Sequence, residues 1–334
     1  MKLGQTAGQH MRSEIAEAPG VFARAAAQQI DLPDLSKLRA FYTVARGSSD
    51  AAANILSYEF MRETGLPMTS LPPSVFSLGP GVALSDAAVL VISQSGASED
   101  LVRSAKGAKA AGAQVIAIVN TRGSLVESAS NLGVQICAGP ELAVPATKSV
   151  IGAVAAGMAI LGHLVPDYAH RAAASAQRVA AMAGQEHPNS AALLAALVQA
   201  RHVYVIGRGA GFGAAQELAL KIKECCALHA EAYSSSEVLH GPLQLVTNPL
   251  LILILDTEQE DVQDSLDTAQ ARFHAAGGTV FRLRPSDVGA AGLTPAAAAA
   301  ALLYLTYPIA LQTALLLGQD PDRPATLSKV TQTR

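Results

Sequence analysis

Three groups of side chains in this sequence have the types and spacing that chemistry needs. In the first, the uncharged run Val89-Leu-Val-Ile92 passes into Ser93-Gln-Ser-Gly-Ala-Ser98, and Glu99-Asp-Leu-Val-Arg-Ser-Ala-Lys106 continues with helical character. A buried strand that turns through hydroxyls and a glycine into a helix can cradle an anion. The helix start offers unpaired N–H groups and the positive end of its dipole, and Ser93, Ser95 and Ser98 add donors. Gly96 can take a left-handed conformation and lets backbone approach a phosphate. Taken alone, the segment also fits an ordinary strand–turn–helix corner capped by serines.

In the second group, Glu217, Lys221 and Glu224 recur at helical spacing along one stripe, while Leu218, Ile222 and Cys225 turn to a core. This reads either as a solvated charge ladder or as the border of a cleft in which a carboxylate moves protons. The third group lies downstream. His240 precedes Gly241-Pro242, a plain turn or a rigid exposed mount for a proton-shuttling imidazole. Lys329 follows Asp320-Pro-Asp-Arg-Pro-Ala-Thr-Leu-Ser328, where it is either a mobile surface charge or an amine delivered by a proline-stiffened tail to a carbonyl.

The elements that must position these groups occur twice. Ala40-Phe-Tyr-Thr-Val-Ala-Arg-Gly-Ser-Ser49 matches His202-Val-Tyr-Val-Ile-Gly-Arg-Gly-Ala-Gly211, each an apolar strand running into Arg-Gly and a long helix. Val89–Ser93 matches Leu251–Leu255, and the helix end, glycine and strand of 110–118 match those of 275–283. Strands apolar on both faces and alternating with helices imply parallel sheets covered on both sides. The expected fold is therefore α/β, two tandem three-layer αβα sandwiches with parallel sheets, divided near Gln185-Glu-His-Pro-Asn189. The copies differ at one place. Where the first has its serine loop, the second has Leu255-Asp-Thr-Glu-Gln-Glu260, which is acidic, lacks glycine and would repel a phosphate.

Composition narrows the function classes. A length of 334 residues suits two domains, and 50% hydrophobic residues suit packed α/β units. A net charge of −3 with no basic cluster argues against nucleic acid as a partner. Cys137, Cys225 and Cys226 lack metal-ligand or disulfide spacing and read as reduced, buried thiols. The amino terminus lacks the apolar core of a signal peptide, and the apolar stretches 149–165 and 295–318 read as buried helices, so no membrane partner and a cytoplasmic location are expected.

Six segments in order, Ser93-Gln-Ser-Gly96, Ala146-Thr-Lys148, Leu220-Lys-Ile-Lys-Glu224, His229-Ala-Glu-Ala-Tyr233, His240-Gly-Pro242 and Pro324-Ala-Thr-Leu-Ser-Lys329, give the chain its resemblance. It resembles the SIS (sugar isomerase) family, in particular the isomerase half of glutamine:fructose-6-phosphate aminotransferase and the stand-alone glucosamine-6-phosphate deaminases. The resemblance implies an amino-terminal arm or helix over 1–30 and a phosphate-binding SIS domain over 31–185. A second SIS domain over 186–318 would carry the catalytic helix and the His-Gly-Pro loop, and a tail over 319–334 would reach the active site. It further implies that Ser48, Ser93, Gln94, Ser95 and Ser98 hold a sugar phosphate, with Thr147 among the substrate contacts and Val144 and Glu217 lining the sugar. Glu224 would move the proton between C1 and C2, His240 would open the ring, and Lys329 would meet the open-chain carbonyl end. Two chains would share each site, with the histidine loop supplied by the neighbour in a homodimer, and no metal or other cofactor would be needed.

The departures matter too. No glutaminase half with an amino-terminal nucleophilic cysteine precedes the first unit, so glutamine-dependent synthesis is not expected. Ala97 stands where the relatives carry Glu, Ala146 where they carry Ser, and Pro145 is unusual beside it. The expected activity is conversion of glucosamine 6-phosphate to fructose 6-phosphate and ammonia. A fructosamine-6-phosphate deglycase and a galactosamine-6-phosphate deaminase are the alternatives within the class, and a non-catalytic sugar-phosphate sensor is the alternative outside it.

Overall fold

The computed structural model describes residues 6–329, so the expected arm and tail lie partly outside the described residues. After helix α1 (Gln9–Ala26), the first unit runs β1 (Ala40–Val44), α2 (Ser48–Thr64), β2 (Met68–Ser70), α3 (Ser74–Ser77), β3 (Ala87–Ser93), α4 (Glu99–Ala110), β4 (Gln114–Val119), α5 (Leu125–Ala129) and β5 (Leu132–Gln135). Helices α6 (Lys148–Leu164), α7 (Pro166–Ala181) and α8 (Ser190–Gln199) lead to the second unit. That unit runs β6 (His202–Gly207), α9 (Ala210–Cys226), β7 (His229–Ser234), β8 (Leu251–Leu255), α10 (Glu260–Ala275), β9 (Thr279–Leu283) and α11 (Pro295–Leu316).

All pairings are parallel, in sheets ordered β2-β1-β3-β4-β5 and β7-β6-β8-β9. The sequence repeat therefore maps onto equivalent strands, β1/β6, β3/β8 and β4/β9. Even the turns agree: Gly47 (φ 55°, ψ −129°) and Gly209 (φ 57°, ψ −133°) both end their strands in a left-handed backbone that a side chain would strain.

Side-chain alternation explains the layers. On β3, Ala88, Leu90 and Ile92 join the central core, while Val89 and Val91 pack outward against Leu101, Ala105 and Ala108 of α4. On β8, Leu251, Leu253 and Leu255 face that same central core, while Ile252 and Ile254 meet Leu266 and Phe273 of α10. The core between the sheets belongs to both units and holds α2, α6, α9 and α11. Among the described residues, α11 is the one helix long and apolar enough to cross a membrane, and 78% of its most apolar window is buried inside the protein. Its apolarity is that of an interior helix.

Candidate active site

A cleft of about 450 Å³ opens at the carboxyl ends of β1 and β3, where ligands of open parallel sheets bind. Its walls are the β1–α2 turn Arg46–Ser49, the β3–α4 loop with Gln94, Ser95 and Ser98, Val144 and Ala146 before α6, Glu224 of α9, and Leu327–Lys329 of the tail. A larger open crevice of about 940 Å³ beside His202 lies at the amino ends of β6 and β8, away from all of these groups.

The serine loop is shaped by its own hydroxyls. Ser93 Oγ accepts from Gly96 N at 3.0 Å and Ser95 Oγ accepts from Ala97 N at 3.3 Å, which leaves each hydroxyl proton free to donate. Gly96 is left-handed (φ 63°), and a Cβ there would lie 2.3 Å from Ser124 Oγ. Ser98 is the N-cap of α4, yet its side chain makes no capping bond. A serine-capped corner would use that hydroxyl on α4; here it lines the cleft.

Helix α9 reaches the cleft from behind. It packs against α2, where a Cβ on Gly213 would lie 2.6 Å from Ile55 N, so only glycine permits the approach. Glu217 and Lys221 are fully buried, which rules out the solvated ladder. Lys221 Nζ donates to Glu224 Oε2 and lies 3.5 Å from Glu217 Oε1, which also accepts from Tyr307 OH at 3.2 Å. Burial pushes the Glu217 carboxyl up to about 7 although Lys221 pulls it down, and Glu224 adds to the rise. Burial works against the Lys221 ammonium, but the two carboxylates outweigh it and hold its pKa above the ordinary lysine range. Burial also pushes up the Cys225 and Cys226 thiols, which remain free. Glu224, 25% exposed, is the member of the stripe that meets the cleft, and a buried cation holds one of its oxygens. Such a carboxylate is oriented to exchange protons with a carbon acid placed before it.

The tail lysine is held, not mobile. Lys329 Nζ donates to Ala143 O at 2.6 Å and lies 3.3 Å from Glu141 Oε2. Glu141 is itself buried and accepts from Thr147 N, Ser149 N and Ser149 Oγ. Helix α1 ties this corner together. Asp322 accepts from His10 N at 2.8 Å and Met11 N at 3.0 Å, and Asp320 accepts from Gly8 N at 3.0 Å, so the tail caps the start of α1. One turn on, Glu14 accepts from the N–H groups of Leu142 and Ala143, the segment on which Lys329 rests. Burial raises the Glu14 pKa, against the pull of those N–H groups.

Of the residues singled out from the sequence, Ser48, Ser93, Gln94, Ser95, Ser98, Val144, Glu224 and Lys329 line one cleft. Thr147 and Glu217 do not line it: both are fully buried, Thr147 at the N-cap of α6 and Glu217 behind Glu224. His240 is exposed in the short 3-10 turn Glu237–His240 and is not among the residues lining this chain's cleft. Sequence reasoning missed Glu141, which seats Lys329, and Arg46, whose only signal was its place in the Arg-Gly repeat. In the second unit the equivalent loop does more than repel anions. Asp256, fully buried, accepts from Glu258 N and Gln263 Nε2 and pairs with Arg282 and Arg284 at 2.9 Å, filling the place of a bound anion with its own carboxylate. Burial alone would raise its pKa, but these partners hold it low.

The chain is 27% identical over 96% of its length to glutamine–fructose-6-phosphate aminotransferase (isomerizing) of Brucella abortus, and it spans 58% of that relative's length. A crystal structure described as a candidate phosphosugar isomerase, from Silicibacter pomeroyi, is 31% identical, with a TM-score of 0.81 over 94% of this chain and 99% of that one. Glucosamine-6-phosphate deaminase of Thermotoga maritima shares the fold at 19% identity, with a TM-score of 0.74 over 97% of this chain and 100% of that one. The SIS domain family model matches residues 34–162 and 196–281, the two sheet-bearing units described above, and the chain belongs to the SIS domain family.

Proposed function

We propose that this chain is a phosphosugar isomerase of the deaminating kind. It would convert glucosamine 6-phosphate and water to fructose 6-phosphate and ammonia, in the cytoplasm, as a homodimer in which the exposed His240 loop of one protomer completes the cleft of the other. The observation that carries the reading is the meeting of the serine loop, Glu224 and Lys329 in one cleft. The loop anchors the phosphate end, which places the far end of an open-chain sugar toward the carboxylate and the amine. His240 opens the pyranose, and Lys329 meets the carbonyl end. Glu224 takes the proton from C2 and returns it to C1 through an enolamine, leaving a C2 imine. Water adds to that imine and ammonia leaves. The substrate's own carbonyl and amine supply the electron sink. Similarity to the Brucella aminotransferase and the Silicibacter structure supports the isomerising class, and the geometry of the cleft supports the proton transfer.

The test is release of ammonia from glucosamine 6-phosphate and galactosamine 6-phosphate, and of the free amino acid from a fructosyl-amino-acid phosphate, assayed in parallel, together with C2 proton exchange. Glucosamine 6-phosphate is expected to release ammonia, and Glu224→Gln to lose C2 exchange by about 100-fold or more while still binding substrate. Binding of all three compounds with neither ammonia nor amino acid released from any of them identifies a sensor and ends the enzymatic reading. Undiminished exchange in Glu224→Gln ends the assignment of the base.

A further inference from the structure

We infer that Arg46 is a phosphate ligand of this cleft, presenting its guanidinium fork beside the serine loop. The inference deepens the reading above and rests on it for the identity of the sugar, but not for the anion. Arg46 lies at the carboxyl end of β1 and lines the cleft together with Ser48, Ser93, Ser95 and Ser98. Its Nε donates to Asp100 Oδ2, a carboxylate with no exposed side-chain surface in the first turn of α4, while the arginine side chain is 45% exposed. Asp100 is fixed in turn, its other oxygen accepting from Leu101 N at 2.9 Å. The guanidinium is thus oriented through one nitrogen, and among the described residues nothing hydrogen-bonds its two terminal nitrogens. A planar cation held this way matches two oxygens of a phosphate without first having to order itself.

The internal repeat supplies the control. Arg208 occupies the equivalent position at the end of β6, before a glycine of the same backbone conformation. There the terminal nitrogen Nη1 donates to Ser234 Oγ at 2.9 Å and to Ser236 Oγ, and the adjoining loop is closed by Asp256. The same arginine is a structural tie where no anion site exists and carries unpartnered terminal nitrogens where the serine loop is open. Among the described residues, Arg46 and Lys329 are the cations lining the cleft.

The experiment measures inorganic phosphate binding by calorimetry, and its inhibition of glucosamine 6-phosphate turnover, for the full chain. The variants are Arg46→Ala, Arg46→Lys and the double variant Arg46→Ala with Asp100→Asn. The double variant removes both charges, so that no buried carboxylate is left unpaired. Removing a charged hydrogen-bonding partner of phosphate should weaken inorganic phosphate about 10- to 100-fold in both alanine variants. KM should rise by the same factor with kcat within about threefold, because the phosphate is held equally in ground and transition states. Arg46→Lys should fall between, since it keeps the charge and loses the fork. Arg208→Lys should leave phosphate affinity within about twofold. A purely structural role for Arg46 would lower kcat or the unfolding midpoint and leave phosphate affinity unchanged. Phosphate affinity within about threefold of wild type in both alanine variants overturns the inference, as does a wild-type protein that does not bind phosphate. Wild-type phosphate binding that Arg46→Ala abolishes, without turnover of any aminosugar phosphate, defeats the deaminase reading and upholds Arg46.

Discussion

Replacing Glu59 by Gln should make the protein more stable at neutral pH, which is unusual for a fully buried polar group. Glu59 belongs to α2 but caps α11, accepting from Ala296 N. Its other oxygen has no partner among the described residues, and the nearby cation Arg171 is committed to Glu63. Burial therefore dominates and pushes the carboxyl up to about 7, against the pull of the Ala296 N–H and of the nearby Tyr168 and Thr294 hydroxyls, which lie outside hydrogen-bonding geometry. Below its ordinary value of 4.5 the group is protonated in both folded and unfolded chains, and its contribution to stability is fully present. As pH rises from there to about 7, the unfolded chain loses the proton while the folded chain keeps it, so stability falls. At about 1.36 kcal/mol per pH unit, the loss reaches about 3 kcal/mol above pH 7. Glutamine has the shape of the neutral acid and does not titrate. The variant's advantage over wild type should grow from near zero at about pH 4 to about 3 kcal/mol at about pH 8, or about 4 °C in Tm for a chain of 334 residues. Glu217, raised for the same first reason, titrates in both proteins and cancels in the difference. Urea unfolding midpoints across that pH range are the assay. A difference that does not vary with pH, or a glutamine variant that loses ground as pH rises, refutes the reasoning.

Two further outcomes follow from the contacts around the site. Asp322→Ala removes the carboxylate that takes the His10 and Met11 N–H groups, so those amides should exchange with deuterium at least tenfold faster, and ammonia release should drop in kcat more than in KM as Lys329 loses its seat; unchanged exchange and kcat contradict the clasp. Asp256→Asn leaves Arg282 and Arg284 without their shared anion and should cost about 3 kcal/mol in urea unfolding; a loss under about 1 kcal/mol contradicts the internal-anion reading.

Much of the framework was legible because parallel strands covered on both faces must be apolar, and β3 and β8 are uninterrupted apolar runs. The repeat then fixed which strands correspond. The stripe Glu217–Lys221–Glu224 was legible as a stripe, but helical periodicity does not say whether a charged face meets water or a second helix. Its burial depends on α11, whose Tyr307 lies 90 residues from Glu217 in the chain. The seat of Lys329 was illegible for the same reason, since Asp322 reaches α1 across a separation of 311–312 residues and Glu141 is an unremarkable loop residue in sequence. Arg46 was visible only as half of a repeated dipeptide, because nothing local distinguishes an arginine tied to serines from one tied through Nε to a buried aspartate.

The second copy shows what separates the candidate site from its counterpart. Glu258 takes the left-handed backbone (φ 60°) that Gly96 takes (φ 63°) in the first loop, so the two turns share a conformation without sharing a glycine. What differs is the occupant. Asp256 Oδ1 accepts from Glu258 N and Gln263 Nε2, whereas in the first loop neutral hydroxyls take the N–H groups and keep their own protons to offer. Acidity read from the sequence as repulsion is, in three dimensions, a carboxylate already bound. Among the described residues, two units of one topology thus differ at this corner because one loop ends in serines around an open cleft and the other in its own anion.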